Sequence, residues 1–421
     1  MSAVDLDRVA SRRAVEALRS GVPSQDAVRA LGARQQEIER AFLERLGLAR
    51  NGQTAGGVLF AGDFGTGKSH LLASLQYRAA TEGFVTSKVV ISKETPLHDP
   101  VKVFRTAVNA ARAPGVRGPA LDEIARRLVH ERDALRSLRS WAEDSSAGLD
   151  DRFAATLFLF ENARSDMELF DQIVRFWTGD PISIADVRRA LKATGEASTY
   201  ALARIGVRDL ALQRFRFAVK LMAAAGCAGW VILFDELELI GHYSLLQRAR
   251  SYAELVRWAQ GFSTEPLHGI VSALAITEDF DGAVLVEKGD FERAPNRLRD
   301  RGTPEDLAAA TRAESGMRLI SRGRMHLEPP TGDDLRDAYE RVKELHARAY
   351  AWNPPDLQWT KASVQEPMRR YIRSWIQQWD LRRLDPTYVA DIETTEIETP
   401  YREDEALEED VTDDNGVVNG S

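Results

Sequence analysis

The sequence predicts an α/β fold: a five-stranded, mostly parallel sheet covered by helices, interrupted by a large helical insertion and closed by a C-terminal helical lid. Three observations predict it. Gly62-Asp63-Phe64-Gly65-Thr66-Gly67-Lys68-Ser69 has the spacing G-x-x-x-x-G-K-[ST], and it lies between an apolar run at 57–61 and a helical stretch at 70–75. Residues 230–234 form a second continuous apolar run that ends on Asp235-Glu236, the pattern of a central parallel strand with acids at its carboxyl end. Most of the remaining apolar residues recur at helical spacing.

The glycine-rich stretch is a phosphate-binding loop, or Walker A motif. Its glycines let the backbone turn tightly and approach a ligand. Consecutive N–H groups along Gly62, Asp63, Phe64, Gly65, Thr66, Gly67, Lys68, Ser69 and His70, with the positive end of the next helix, then face an anion. Lys68 is placed to reach the β- and γ-phosphates of ATP, and the Ser69 hydroxyl to ligate Mg2+. The strand ending in Asp235-Glu236 is a Walker B segment. Asp235 would hold the magnesium through its water shell, and Glu236 would polarise the attacking water. Without the upstream loop, the same two acids would read equally well as a helix start.

At 421 residues the chain is long enough for two or three domains, and 44% hydrophobic with 29% charged residues is a globular composition. No apolar run reaches a membrane span and the polar N-terminus is no signal peptide, so a cytoplasmic protein is expected. The single cysteine, Cys227, excludes an internal disulfide and reads as a small buried hydrophobe. The net charge of −8 is uneven: residues 391–421 hold twelve acids and one base, a net −11, which leaves the other 390 residues at about +3. Bases are 47 Arg against 9 Lys, a bias spread along the whole chain.

Residues 8–19 and 25–48 read as two helices broken at Gly21-Val22-Pro23, with Ser24 as N-cap, and form a prefix over 1–50. The core follows over 51–330. After the loop helix, ended by Gly83, comes a strand at 84–92, then a proline-rich loop and a helix at 101–113. Stretches at 121–141, 151–164, 167–177, 184–194 and 208–225 are helical. Since a core needs only one or two helices between strands, about 100 residues within 101–222 make an inserted bundle. Past Glu236, a helix at 245–261 leads to a fourth strand at 269–276. Thr277 at its tip is a candidate sensor of the γ-phosphate, a reading preferred to that of a strand-end threonine of high β-propensity. Residues 290–302 carry Arg293, Arg297, Arg299 and Arg301, with Pro295 breaking any long helix; an arginine finger could come from here, as could a solvated basic face. Residues 317–327 read as the fifth strand. A lid over 331–390 begins at a helix capped by Thr331. Its aromatics Tyr371, Trp375 and Trp379, four apart, read as a packed stripe in preference to a base-stacking surface. The acidic tail over 391–421 is expected to be disordered.

This order of elements, with both acids and the lid, resembles the AAA+ ATPases. Trp379-Asp380-Leu381-Arg382-Arg383-Leu384 looks like the lid motif of the Orc/Cdc6-like branch, which implies Arg382 as a second γ-phosphate sensor, with Arg383 one register away as the alternative. Residues 12–23, 62–72, 94–97 and 379–386 together resemble the BrxD-type ATP-binding proteins of bacterial BREX anti-phage systems. The resemblance implies a cytoplasmic ATPase encoded beside other defence proteins, including a helicase.

The leading expectation is therefore a Mg2+-dependent ATPase working as a homo-oligomer on double-stranded DNA or on a DNA-bound partner such as a helicase, without a membrane. Lys68, Glu236, Thr277 and Arg382 would be its catalytic residues, and Ser69 and Asp235 its metal ligands. The rival expectation is a slowly hydrolysing ATP-dependent switch or scaffold that docks a protein through its helical insertion. A small-molecule kinase is a third reading, opposed by the Asp-Glu pair.

Overall fold

In the computed structural model, residues 3–22, 24–162, 166–261, 267–357 and 368–388 are described. The sheet has strands β1 (Gly56–Ala61), β2 (Val85–Val90), β3 (Trp230–Asp235), β4 (Ile270–Ile276) and β5 (Met325–His326), in the order β2-β3-β4-β1-β5. Every pair is parallel. β1, β3 and β4 are buried at every residue, which is why they read as unbroken apolar runs. The sequential order β1, β3, β4 becomes a spatial order with β4 beside β1. The carboxyl ends of β1 and β3 therefore flank that of β4.

Side chains alternate between the two faces of the sheet. On one face Val58, Phe60, Val231, Leu233 and Ala273 meet α3 (Gln36–Arg50) and α4 (Lys68–Thr81). On the other, Leu59, Trp230, Ile232 and Phe234 join a core that runs without interruption into the insertion. The insertion comprises α5 (Pro100–Asn109), α6 (Ala120–Leu128), α7 (Arg132–Glu143), α8 (Asp151–Asn162), α9 (Met167–Thr178), α10 (Ile184–Ala193) and α11 (Val207–Ala224). Phe215 of α11 lies 4.9 Å from Phe104 and 5.7 Å from Trp230, so aromatic contacts weld bundle to sheet. Behind the same face, α12 (Leu245–Gln260), α13 (Asp290–Arg299) and α14 (Pro304–Arg318) pack together. A Cβ at Gly316 would fall 2.0 Å from the Tyr252 carbonyl oxygen, so α12 and α14 approach as only glycine permits.

A third core joins the two ends of the chain. Ala14, Val15 and Leu18 of α1 (Ala3–Ser20) and Ala27 and Leu31 of α2 (Gln25–Leu31) pack on Tyr339, Val342, Trp375 and Trp379 of α15 (Gly332–Tyr350) and α16 (Met368–Leu384). The prefix helices thus share a core with the lid. Tyr371, Trp375 and Trp379 are 8%, 1% and 0% exposed, a packed stripe with no face left for bases.

Several boundaries differ from the sequence expectation. The helix expected over 25–48 is split, because Gly32 and Arg34 take positive φ values of 69° and 54°. That expected over 121–141 is broken into α6 and α7. Pro295 lies inside α13 and does not end it. The strand expected over 317–327 is mostly helix: Ala313, Met317 and Ile320 are all fully buried at helical spacing, a π-turn covers Leu319–Gly323, and only Met325–His326 pair with β1. Cys227 is half-buried, against the sheet core, with burial pushing its thiol pKa up. Trp359 and the acidic tail lie outside the described residues.

Candidate nucleotide site

β1 delivers the chain into the phosphate loop, and Gly62 N–H donates to the Ile276 carbonyl at 3.2 Å, fixing the loop's start to the tip of β4. Gly65 and Gly67 then take φ values of 81° and 109°, left-handed conformations that glycine adopts freely, and α4 begins at Lys68. The Lys68 ammonium folds over the loop, donating to the carbonyls of Gly62 (2.8 Å) and Asp63 (3.3 Å), and lies 5.1 Å from the exposed Phe64 ring. Burial pulls its pKa down, against the opposing pull of Glu238 and Asp235.

Asp235 closes β3. Asp235 is 4% exposed, and its Oδ2 accepts from the Ser69 hydroxyl at 2.9 Å. The same oxygen is 2.8 Å from the Lys88 ammonium of β2. Glu236 follows at φ 60°, with its N–H on Asp235 Oδ1 at 3.1 Å and its side chain exposed. Partial burial and the Asp235 charge push its carboxyl pKa up, against Lys88 and Lys68. A 3₁₀ turn over Leu237–His242 swings Glu238 back to the site.

These groups line a cavity of about 390 Å³, within the usual range for a ligand pocket. The phosphate loop, Asp235, Glu236 and Glu238 make its floor. The α2–α3 link at Gly32–Gln35 and the segment at 327–330 make one wall, and Met368, Arg369 and Ile372 of α16 hang over it. Two reciprocal bonds brace the wall: Gln35 Nε2 donates to the Glu328 carbonyl and Glu328 N–H donates to Gln35 Oε1, both at 3.0 Å. His70 also lines the cavity, and its ring is 2.8 Å from the Gly32 carbonyl, tying α4 to the prefix. Burial lowers its pKa.

The donor set suits a hard cation. Ser69 and Asp235 offer adjacent oxygens, and among the described residues no group of three or more His, Cys, Asp or Glu could cage a metal. That is the pattern of magnesium carried in largely by phosphate and water. Such an ion would neutralise phosphate charge; Ser69 and Asp235 would hold it.

The remaining predicted residues are distributed differently. Thr277, 1% exposed, follows β4, which lies between β1 and β3, but is not on the cavity wall. Arg382 is also off the wall. At about 1.5 Å per residue it lies about 20 Å along α16 from Arg369, which is on it. The motif's neighbours explain the displacement. Trp379 is lid core, and Asp380 is bound by Arg19 (2.6 Å) and His346 (3.2 Å), so this end of α16 is fixed to α1 and α15. Arg383 stacks on Tyr350. Of the four finger candidates, Arg293 bonds to the Lys288 carbonyl, Arg299 pairs with Glu314 and Arg301 with Asp306; none of the four, Arg297 included, lines the cavity. Sequence reasoning missed Lys88, Glu238 and Arg369. Only Glu238 carried a signal, three residues after Asp235, where one tight turn returns to the same side.

A family model described as BREX system ATP-binding protein BrxC/D matches residues 7–377 of this chain, a span that includes the glycine-rich loop, Asp235, Glu236 and Arg369 and stops short of Arg382. No curated protein and no solved structure matches it.

Proposed function

The chain belongs to the BREX system ATP-binding protein BrxC/D family, and from that we propose that it is a cytoplasmic, Mg2+-dependent AAA+ ATPase that works as a homo-oligomer on DNA or on a DNA-bound partner such as a helicase. The observation that carries the reading is the bond from Ser69 Oγ to Asp235 Oδ2: two motifs 166 residues apart meet where a magnesium nucleotide would need both. In this reading Lys68 leaves the loop carbonyls for the β- and γ-phosphates and Glu236 orients the attacking water. Thr277 acts from the tip of β4, and Arg369 takes the lid-sensor part first given to Arg382.

DNA as a ligand is supported by charge. α16 carries Arg369, Arg370, Arg373, Arg382 and Arg383 against the one acid Asp380. Beside it, a cleft of about 590 Å³ is lined by three bases, Arg19, Arg373 and Arg383, and two acids, Glu16 and Asp380. Arg19 is engaged by Glu16 and Asp380, whereas Arg373 is exposed and Arg383, also exposed, lies 4.5 Å over the Tyr350 ring. Guanidinium forks in this setting suit a phosphate backbone.

A switch that hydrolyses slowly is the second reading. It is favoured by the way the site's own groups satisfy one another, Lys68 on loop carbonyls and Lys88 on Asp235. The test is steady-state ATP hydrolysis with magnesium, with and without DNA, for wild type and Lys68→Ala. Turnover well above the variant supports the enzyme; equal rates, with ATP-dependent assembly retained, support the switch.

A further inference from the structure

Glu238 lines the nucleotide cavity beside Asp235 and Glu236 and is only 6% exposed. Its Oε2 is buried without a hydrogen-bond partner. An acid so placed is costly to keep, and the usual remedy is a dedicated cation. Lys68, the cation that faces it, is hydrogen-bonded instead to the carbonyls of Gly62 and Asp63. The other groups facing Glu238 are Asp235 and Glu236, both acids. The position is therefore one where a negative charge meets whatever anion enters the loop.

We propose that Glu238 is a built-in repulsive group that weakens the site's hold on nucleotide phosphates and so speeds product release. The loop gathers backbone N–H groups, a helix N-terminus and a lysine around one anion, an arrangement that favours tight retention of product. A carboxylate on the cavity lining, with one oxygen unpartnered, opposes that retention. Burial, which lifts the Glu238 pKa to about 7, also caps the effect. At pH 8 the carboxyl escapes the phosphates by taking up a proton, at a cost in affinity of about tenfold.

The inference rests on the ATP-binding reading, and the experiment separates the two. ADP binding and dissociation are measured at pH 8 with magnesium on the full chain: wild type, Glu238→Gln, Glu238→Met and Lys68→Ala. The expected result is ADP bound about tenfold more tightly by both Glu238 variants, with correspondingly slower release. A merely structural role for Glu238 would not tighten binding. Equal or weaker binding by the variants overturns the proposal, and so does failure of both to fold, which would make Glu238 a structural acid. Absence of ADP binding by wild type would sink the nucleotide reading itself, and this proposal with it.

Discussion

Lys88 Nζ and Ser69 Oγ converge on one oxygen, Asp235 Oδ2, at 2.8 and 2.9 Å. Asp235, the residue that would hold magnesium, is thus already engaged by a cation from β2 and a hydroxyl from α4. Lys88 therefore competes with a metal ion for this carboxylate. Lys88→Met is expected to strengthen magnesium-dependent nucleotide binding by removing a competitor for Asp235, whereas Asp235→Asn should weaken it. Titration of Mn2+ into the ATP complex, read by paramagnetic relaxation, checks both directions.

Arg369 and Arg382 lie on one helix, but only Arg369 reaches the cavity. A hydrogen bond to a charged group is worth about 1.5–3 kcal/mol, so Arg369→Ala should lower ATP affinity or turnover about tenfold to a hundredfold. Arg382→Ala should leave both near wild type. The reverse ranking would restore the motif-based assignment.

That pair also marks how far the sequence was legible. The phosphate loop and the Asp235 strand could be read because their chemistry is local: spacing and an apolar run define each. Their juxtaposition followed from β1 and β3 being parallel. Arg369 could not be read, because its approach depends on how the Trp375 and Trp379 stripe seats α16 against α1. The same packing keeps Arg382 off the cavity lining, since Asp380 beside it binds Arg19 and His346. Met317 misled for a different reason. Short apolar runs do not separate strand from helix, and burial at 313, 317 and 320 decided it.

Glu238 gives a pH signature in stability. Its folded pKa, about 7, lies above the unfolded value of 4.5, so the native state binds the extra proton. Its contribution is full below pH 4.5 and is lost as pH rises through 7. Glu238→Met should therefore be more stable than wild type at pH 8, by about 1–3 kcal/mol, with the gap closing toward pH 5. Denaturant melts at the two pH values measure this; a gap that does not change with pH would contradict it.

Behind the sheet, Arg248 and Asp290 are 0% exposed and joined by bonds of 2.8 and 2.9 Å, with the Tyr252 hydroxyl 2.7 Å from Asp290. Replacing Arg248 by Met strands a buried carboxylate and should cost about 3–5 kcal/mol. Replacing both Arg248 and Asp290 by apolar residues should recover much of that loss. A thermal-melt double-mutant cycle checks the coupling.

Charge reversal at Arg373 and Arg383 leaves the nucleotide cavity untouched. It should reduce DNA affinity and flatten its salt dependence, while ADP binding is unaffected. Fluorescence anisotropy with a labelled duplex at several salt concentrations would show an unchanged slope if the cleft is not the contact.

The most direct test of the central claim is the steady-state ATP hydrolysis rate of wild type and Glu236→Gln across a titration of double-stranded DNA, with molecular mass measured in the same buffer. The account predicts a rate that rises with DNA and with protein concentration, and that falls about a hundredfold or more in the variant. Nucleotide binding without turnover in wild type, whatever the DNA concentration or assembly state, would contradict it.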